Sequence, residues 1–244
     1  MKRTAQISLA AVVTLGLVSP PSIALPGPWM PLAIGTQWEY QGDAGGHQVQ
    51  TITGQKIVRG RSVAVKSYAE GVDAGLENYW LLDTDGSVLL AGFRNPSAAL
   101  ALAYEPPIRY LPVPPGVGPQ PVQHIVAHDL LTDAVVNEFD FQIELSVVQL
   151  TLPINPAAPY FTAAVGQLGP PSGPALVGRT SFTLDGRHLP TGQHSSASAT
   201  PTDFFVQGLG DVAYQSSELF ALLGFGQPTP VATSSWGRLK RLYR

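Results

Sequence analysis

The nine residues from Phe139 to Val147 alternate strictly between apolar and polar side chains. The odd positions hold Phe, Phe, Ile, Leu and Val, and the even positions hold Asp, Gln, Glu and Ser. A period of two predicts a β-strand with one dry face and one solvated face. This alternation is typical of an antiparallel sheet that is exposed on one side.

Further segments share this strand-like character, with apolar or β-branched residues between turn signals. Asp83-Thr84-Asp85-Gly86 predicts a hairpin, because Gly tolerates the positive φ of tight turns. Asp185-Gly186 predicts a second hairpin for the same reason, and Arg59-Gly60-Arg61 predicts another tight turn. The predicted strands are Thr36–Gln41, Arg61–Tyr68, Leu76–Leu82, Ser87–Phe93, Ala98–Tyr104 and Leu176–Leu184. For Ala98–Tyr104 a helix is the alternative, because Ala and Leu favour one.

Four segments lack this pattern. Pro106–Pro121 and Pro153–Pro174 are rich in Pro, which cannot donate to a β-ladder, and they predict long loops. Gly192–Pro201 is rich in Ser, Ala and Thr and predicts a mobile segment. Ser217–Phe225 predicts a short helix, with Ser as the N-cap and Glu218 in the first turn.

Composition narrows the fold class. The 244 residues include 25 Gly and 23 Pro, too many for a helical bundle. Hydrophobic residues make up 44% and charged ones 13%, which is too apolar for a disordered chain. The absence of Cys excludes disulfides, Cys-ligated metals and thiol catalysis. We therefore predict a mainly β chain with little helix, in which residues 25–226 form one domain built on a single curved antiparallel sheet or half-barrel.

The N-terminus has the layout of a secretory signal peptide. Met1-Lys2-Arg3 is followed by an apolar run, Ile7–Val18, which is too short to span a membrane. Cleavage is expected after Ala24, releasing a soluble periplasmic or extracellular protein. Loss of Lys2 and Arg3 widens the excess of the 17 acidic over the 14 basic side chains of the whole chain. This acidic balance argues against nucleic acid as a partner.

Two short motifs combine Gly with aromatic or apolar residues. The first, PLxxGxxWxY, lies within Met30-Pro31-Leu32-Ala33-Ile34-Gly35-Thr36-Gln37-Trp38-Glu39-Tyr40, and the second, GxGxV, is Gly208-Leu209-Gly210-Asp211-Val212. They resemble the opening motif and a later motif of uncharacterised exported bacterial β-rich proteins. The sequence departs from their pattern at Phe205, where Trp is usual, and at Asp211, in a normally apolar run. The resemblance implies an exported protein with a curved sheet of the lipoprotein-carrier kind, and it implies no activity.

Within these motifs, the residues themselves predict structural roles. Trp38 and Tyr40 are expected to be large anchors on the buried face of the first strand, each with a polar tip that needs a partner. Gly208 and Gly210 fit a bulge or a sharp bend.

The C-terminus forms a separate unit in the sequence. Gln227–Ser235 is a predicted linker, and Trp236–Arg244 resembles a WGxIKxLYR tail of assorted exported bacterial proteins. On a helix, Trp236, Leu239 and Tyr243 would share one face. This short basic amphipathic tail could contact an anionic surface or dock on its own domain.

Motifs for hydrolytic or metal chemistry are weak in this sequence. Ser195 and Ser196 follow His194 but lack the Gly-x-Ser-x-Gly elbow. His124 and His128 would hold a metal together on a helix, whereas on the predicted strand they lie about 13 Å apart. Asp83–Gly86 does not match the spacing of a calcium loop.

Three carboxylates on one predicted strand are the remaining candidates for a catalytic site. Glu138, Asp140 and Glu144 share one predicted strand face, which is expected to be solvated rather than to form a glycosidase pair. No residue is therefore assigned a catalytic, cofactor-binding or metal-binding role. The favoured function is non-enzymatic binding of an apolar ligand or a cell-envelope partner through the curved sheet. The alternatives are a secreted hydrolase with an acid/His site and a structural component of a surface assembly.

Overall fold

The computed structural model describes residues 28–71, 73–113, 118–149, 176–206, 208–216 and 218–226. Within them lie thirteen strands and one short 3-10 helix, Pro96–Ala98. The predicted signal peptide, the Pro153–Pro174 loop and the C-terminal tail lie outside the described residues. The strands are β1 (Gln37–Gly42), β2 (His47–Val58), β3 (Arg61–Tyr68), β4 (Glu77–Leu82), β5 (Val88–Asn95), β6 (Leu100–Leu111), β7 (Gly118–Pro119), β8 (Gln123–Asp129), β9 (Val135–Gln149), β10 (Leu176–His188), β11 (Gln193–Val206), β12 (Gly210–Gln215) and β13 (Leu219–Gly226).

All thirteen strands belong to one antiparallel sheet, in the order β10-β11-β12-β13-β1-β2-β3-β4-β5-β6-β8-β9-β7. β9 also pairs with β10 along the whole of β10, from Leu176 opposite Gln149 to His188 opposite Asn137. β10 stands first in this order and β9 stands near its end. Because these two strands also pair, the sheet must curve until they meet, with the core on its inner face. The predicted mainly β fold with a single curved antiparallel sheet is confirmed.

The strand that alternates most clearly in the sequence behaves as predicted. In β9, Phe139, Phe141, Ile143 and Leu145 are buried, while Asp140 and Glu144 are exposed. The buried side chains join a core cluster with Trp80, Leu102 and other apolar residues. One face of the curved sheet therefore carries this core.

The tight turns at 59–60 and 83–87 are also confirmed. Arg59 and Gly60 both have positive φ and join β2 to β3. At the second turn, the amide of Asp83 donates to the carbonyl of Ser87, and Gly86 has a φ of 86°. Left-handed backbone is what makes Gly the favoured residue at such positions.

The predicted hairpin at Asp185-Gly186 is wrong, because both residues lie inside β10 and the chain turns only after His188. Gly186 serves a different purpose. A Cβ atom there would collide with the Cβ of Phe139 and with the carbonyl oxygen of Glu138 on β9. Gly at this position allows close strand approach rather than positive φ.

Three other segments differ from their predictions. Gly192–Pro201 lies almost entirely in β11, where pairing with β10 organises a stretch that its composition had marked as mobile. Ser217–Phe225 contains most of β13, not a helix, because β12 and β1 flank it as ladder partners. In the Pro106–Pro121 segment, Pro106 and Pro107 lie within β6, so the predicted loop begins later.

Candidate functional site

The first strand carries the two aromatic anchors predicted from the sequence. Trp38 and Tyr40 are fully buried. The indole Nε1 of Trp38 donates to the carbonyl of Leu209 at 2.5 Å, and the hydroxyl of Tyr40 donates to the carbonyl of Asp211 at 3.0 Å. A buried Trp N–H or Tyr O–H group needs a hydrogen-bond partner. Here both partners are backbone carbonyls near the start of β12, so the two bonds join β1 to that part of the chain.

The predicted bend is present at Gly208 and Gly210. Both have positive φ, and the register between β11 and β12 shifts after Phe204. Asp211 follows directly after this bend. Its side chain is buried from solvent, with only 12% of its surface exposed.

Asp211 forms a buried ion pair that the sequence did not predict. Nζ of Lys66, a side chain only 1% exposed, lies 2.7 Å from Oδ2 of Asp211. The same ammonium group sits 4.8 Å from the ring centre of Trp38 and 5.9 Å from that of Tyr68, within the range of cation–π attraction. β3 and β12 are not neighbours in the sheet. The pair therefore joins separate parts of the curved sheet.

Polar side chains surround this pair, and we call the group of Tyr40, Gln48, Gln50, Lys66, Tyr68, Asp211 and Tyr214 the polar cluster. Burial raises the pKa of Tyr40 and Tyr68 well above the usual range, and the charge of Asp211 raises both further. Burial likewise raises the pKa of Tyr214. The three phenols are therefore neutral hydroxyl groups at any physiological pH.

A cavity of about 230 Å³ opens at the end of the sheet where β5, β8 and β10 finish. Its apolar side chains are Phe93, Leu102, Tyr104 and Phe139. The rings of Tyr104 and Phe139 meet edge to face at 5.9 Å, the arrangement that aromatic pairs prefer. We call it the aromatic cavity.

The rim of the aromatic cavity is polar. It is formed by Asn137 and Glu138 of β9 and by Gly186, Arg187 and His188 of β10. An apolar concavity with a few polar groups at its mouth is the usual form of a small-molecule site.

The polar cluster and the aromatic cavity lie on one face of the sheet. Lys66 is directly opposite Asn78, Asn78 is opposite Phe93, and Phe93 is opposite Leu102. Residues directly opposite each other on neighbouring strands point to the same side. The core face thus changes from polar at β3 to aromatic at β5 and β6.

A second cavity, of about 430 Å³, brings three carboxylates together, those of Glu105, Asp129 and Asp133. Arg59 donates from Nε to Glu105 at 3.0 Å and also pairs with Asp133. The pKa of Asp129 is lowered, chiefly by hydrogen bonds from the backbone and side chain of Thr132. We call this the Arg59 cavity.

The histidines considered from the sequence do not converge. His124 and His128 lie on β8, as the strand prediction required. Nδ1 of His124 is 2.9 Å from Asp140 on the exposed surface, and Nδ1 of His128 is 3.2 Å from the carbonyl of Asp133. His194 lies on β11 beside Asp185, at 3.2 Å. In the part of the chain that the structure describes, no group of three or more His, Cys, Asp or Glu side chains is arranged to hold a metal.

Fold and cavities together define an all-β protein whose curved sheet carries an amphipathic core face. No family model matches the chain, and no curated protein matches it. A solved structure, a "putative lipoprotein" from Parabacteroides distasonis, is similar at 10% sequence identity with a TM-score of 0.38, over 82% of this chain and 99% of that one. The described residues contain no helix with the length and hydropathy needed to cross a membrane.

Proposed function

We propose that this chain is an exported, non-enzymatic protein that binds the apolar part of a small molecule in the aromatic cavity. The observation that carries the proposal is the cavity of about 230 Å³ lined by Phe93, Leu102, Tyr104 and Phe139. Apolar cavities of comparable size accept a single aromatic ring. Export is supported by the signal-like N-terminus of the sequence.

The polar rim would orient the ligand while the aromatic side chains supply most of the binding free energy. Burial of apolar surface contributes about 25 cal/mol per Å² before the costs of association are subtracted. Because the cavity is small and open, the proposal requires modest affinity for a ligand of one ring or one short alkyl chain.

Binding of propylbenzene, a neutral ligand with one aromatic ring, measured by isothermal titration calorimetry, tests this proposal. The substitution Asn137→Trp places a large ring at the rim, and we expect it to weaken binding at least tenfold, about 1.4 kcal/mol. The control Glu144→Trp adds the same ring to an exposed position of the same strand. Equal binding by both variants, or no binding by the unsubstituted protein, would overturn the proposal.

One observation favours the alternative of a secreted hydrolase, namely the meeting of Glu105, Asp129 and Asp133 in the Arg59 cavity. A general acid at neutral pH needs a raised pKa. Hydrogen bonds from Thr132 instead lower the pKa of Asp129. Glu105 and Asp133 both form ion pairs with Arg59. These interactions tie the β2–β3 turn to the β8–β9 turn. We therefore prefer the binding function.

A further inference from the structure

Three polar side chains that line the aromatic cavity stand in one row across the sheet, and we call Tyr104, Asn137 and His188 the polar row. Tyr104 is directly opposite Ala127 on β8, and Ala127 is opposite Asn137. Asn137 is in turn opposite His188. Directly opposed residues share a face of the sheet, and Asn137 also shares its face with Phe139, two residues farther along β9. The polar row therefore belongs to the face that carries the aromatic side chains.

The hydrogen-bonding groups of the polar row are largely unused. The hydroxyl of Tyr104 and the side-chain amide of Asn137 form no hydrogen bond with any residue that the structure describes, and both side chains are half-buried. In His188, Nδ1 lies 2.9 Å from the hydroxyl of Thr191. A phenolic hydroxyl and an amide can each donate and accept a hydrogen bond. The polar row can therefore pair with a ligand group that does both.

From this arrangement we infer that the aromatic cavity selects a phenol, a ligand whose ring carries a neutral hydroxyl group. This inference rests on the proposed function, because the ring would occupy the cavity already described. The ring would contact Phe93 and Phe139, and aromatic rings pack well on one another in offset or edge-to-face arrangements. The hydroxyl would reach the polar row, where it can donate to one group and accept from another.

The charges around the cavity favour a neutral ligand. Side chains alternate along a strand, so Arg187, which precedes His188 in β10, belongs to the opposite face. The same holds for Glu138, next to Asn137 in β9, and Glu138 is directly opposite Arg187. Burial raises the pKa of Tyr104, so its hydroxyl also stays neutral at physiological pH. Because the polar row contains no Lys, Arg, Asp or Glu, a charged ligand would lose its hydration without gaining an ion pair there.

Two ligands of similar shape test the role of the hydroxyl. In para-propylphenol and para-propyltoluene the ring and the chain are the same, and a methyl group replaces a hydroxyl of similar size. We expect isothermal titration calorimetry to show about tenfold tighter binding of para-propylphenol, because its hydroxyl forms two hydrogen bonds with the polar row. The anion para-propylbenzoate, with a carboxylate at the same place, should bind more weakly than para-propylphenol.

Two substitutions test the polar row itself. Tyr104→Phe removes the hydroxyl and keeps the ring, and Asn137→Leu removes the amide at similar side-chain size. Each should lower the ratio of the affinities for the phenol and the toluene severalfold. Tyr79→Phe is the control and should keep this ratio, because Tyr79 packs in a different cluster of buried side chains. Circular dichroism would show whether each variant folds.

The outcomes distinguish this inference from the proposed function. If para-propyltoluene binds as tightly as para-propylphenol, and Asn137→Trp weakens both, the inference is overturned and the proposed function stands. A preference for the phenol that neither Tyr104→Phe nor Asn137→Leu reduces would also overturn the inference. If neither ligand binds, the proposed function fails and the inference fails with it. Should one variant not fold, the other variant and the ratio in the unsubstituted protein decide the matter.

Discussion

At the scale of single residues, the two departures from the resembled motif have structural explanations. Phe205 is 1% exposed and packs edge to face on Tyr110 at 5.9 Å, within the core cluster. Asp211 brings an acid into an apolar run because Lys66, far away in the sequence, supplies the opposite charge. Neither partner could be identified from the local sequence.

The ion pair leads to a prediction about stability. Lys66→Met leaves the carboxylate of Asp211 buried without its partner, and we expect it to lower the free energy of unfolding by about 3–5 kcal/mol. Replacing both residues, Lys66→Met with Asp211→Leu, should recover most of that loss, since a hydrophobic pair can replace a buried ion pair. Urea denaturation measures both. Equal destabilisation by the single and double variants would contradict this account.

At the scale of elements, β9 and β10 show how far local patterns reach. The alternation of β9 correctly predicts a strand and its buried face, because a period of two requires only the strand itself and a nearby core. The Asp-Gly signal in β10 fails because Gly has two uses, positive φ in turns and close approach between strands. Only the pairing with β9 shows which use applies at Gly186.

Gly186→Ala tests this second use. The added methyl group would meet Phe139 and the backbone of Glu138, and overpacking of this kind costs about 1–3 kcal/mol. Gly54→Ala, in β2, is the matched control because a Cβ there meets nothing within 4 Å. We expect Gly186→Ala to lower the midpoint of urea denaturation clearly and Gly54→Ala to change it little. A reversed order would show that β9 and β10 are not in close contact at this point.

At the scale of the whole molecule, the pairing of β9 with β10 decides the shape. A half-barrel would leave long edge strands with unpaired backbone groups, a liability for aggregation. Here β10 has β9 on one side and β11 on the other, along nearly its whole length. The core face is consequently enclosed by its own sheet, which gives both the aromatic cavity and the polar cluster their walls.

Amide hydrogen exchange tests this enclosure. If both sides of β10 are paired, we expect its amides to exchange as slowly as those of β2, which lies between β1 and β3. Mass spectrometry of peptides covering the two strands provides the comparison. Fast exchange throughout β10, with slow exchange in β2, would show that the sheet opens between β9 and β10 in solution.

Local sequence patterns are sufficient to predict the class of fold, several strands, two tight turns, the bend at Gly208 and Gly210, and the burial of Trp38 and Tyr40. These properties follow from local periodicity, backbone conformation and side-chain size. Tertiary structure alone decided the partner of Lys66, the aromatic cavity and the strand identity of β11 and β13. Each of these depends on residues that meet only through the sheet: 145 positions separate Lys66 from Asp211 in the chain, and 2.7 Å separates their charged atoms in the fold.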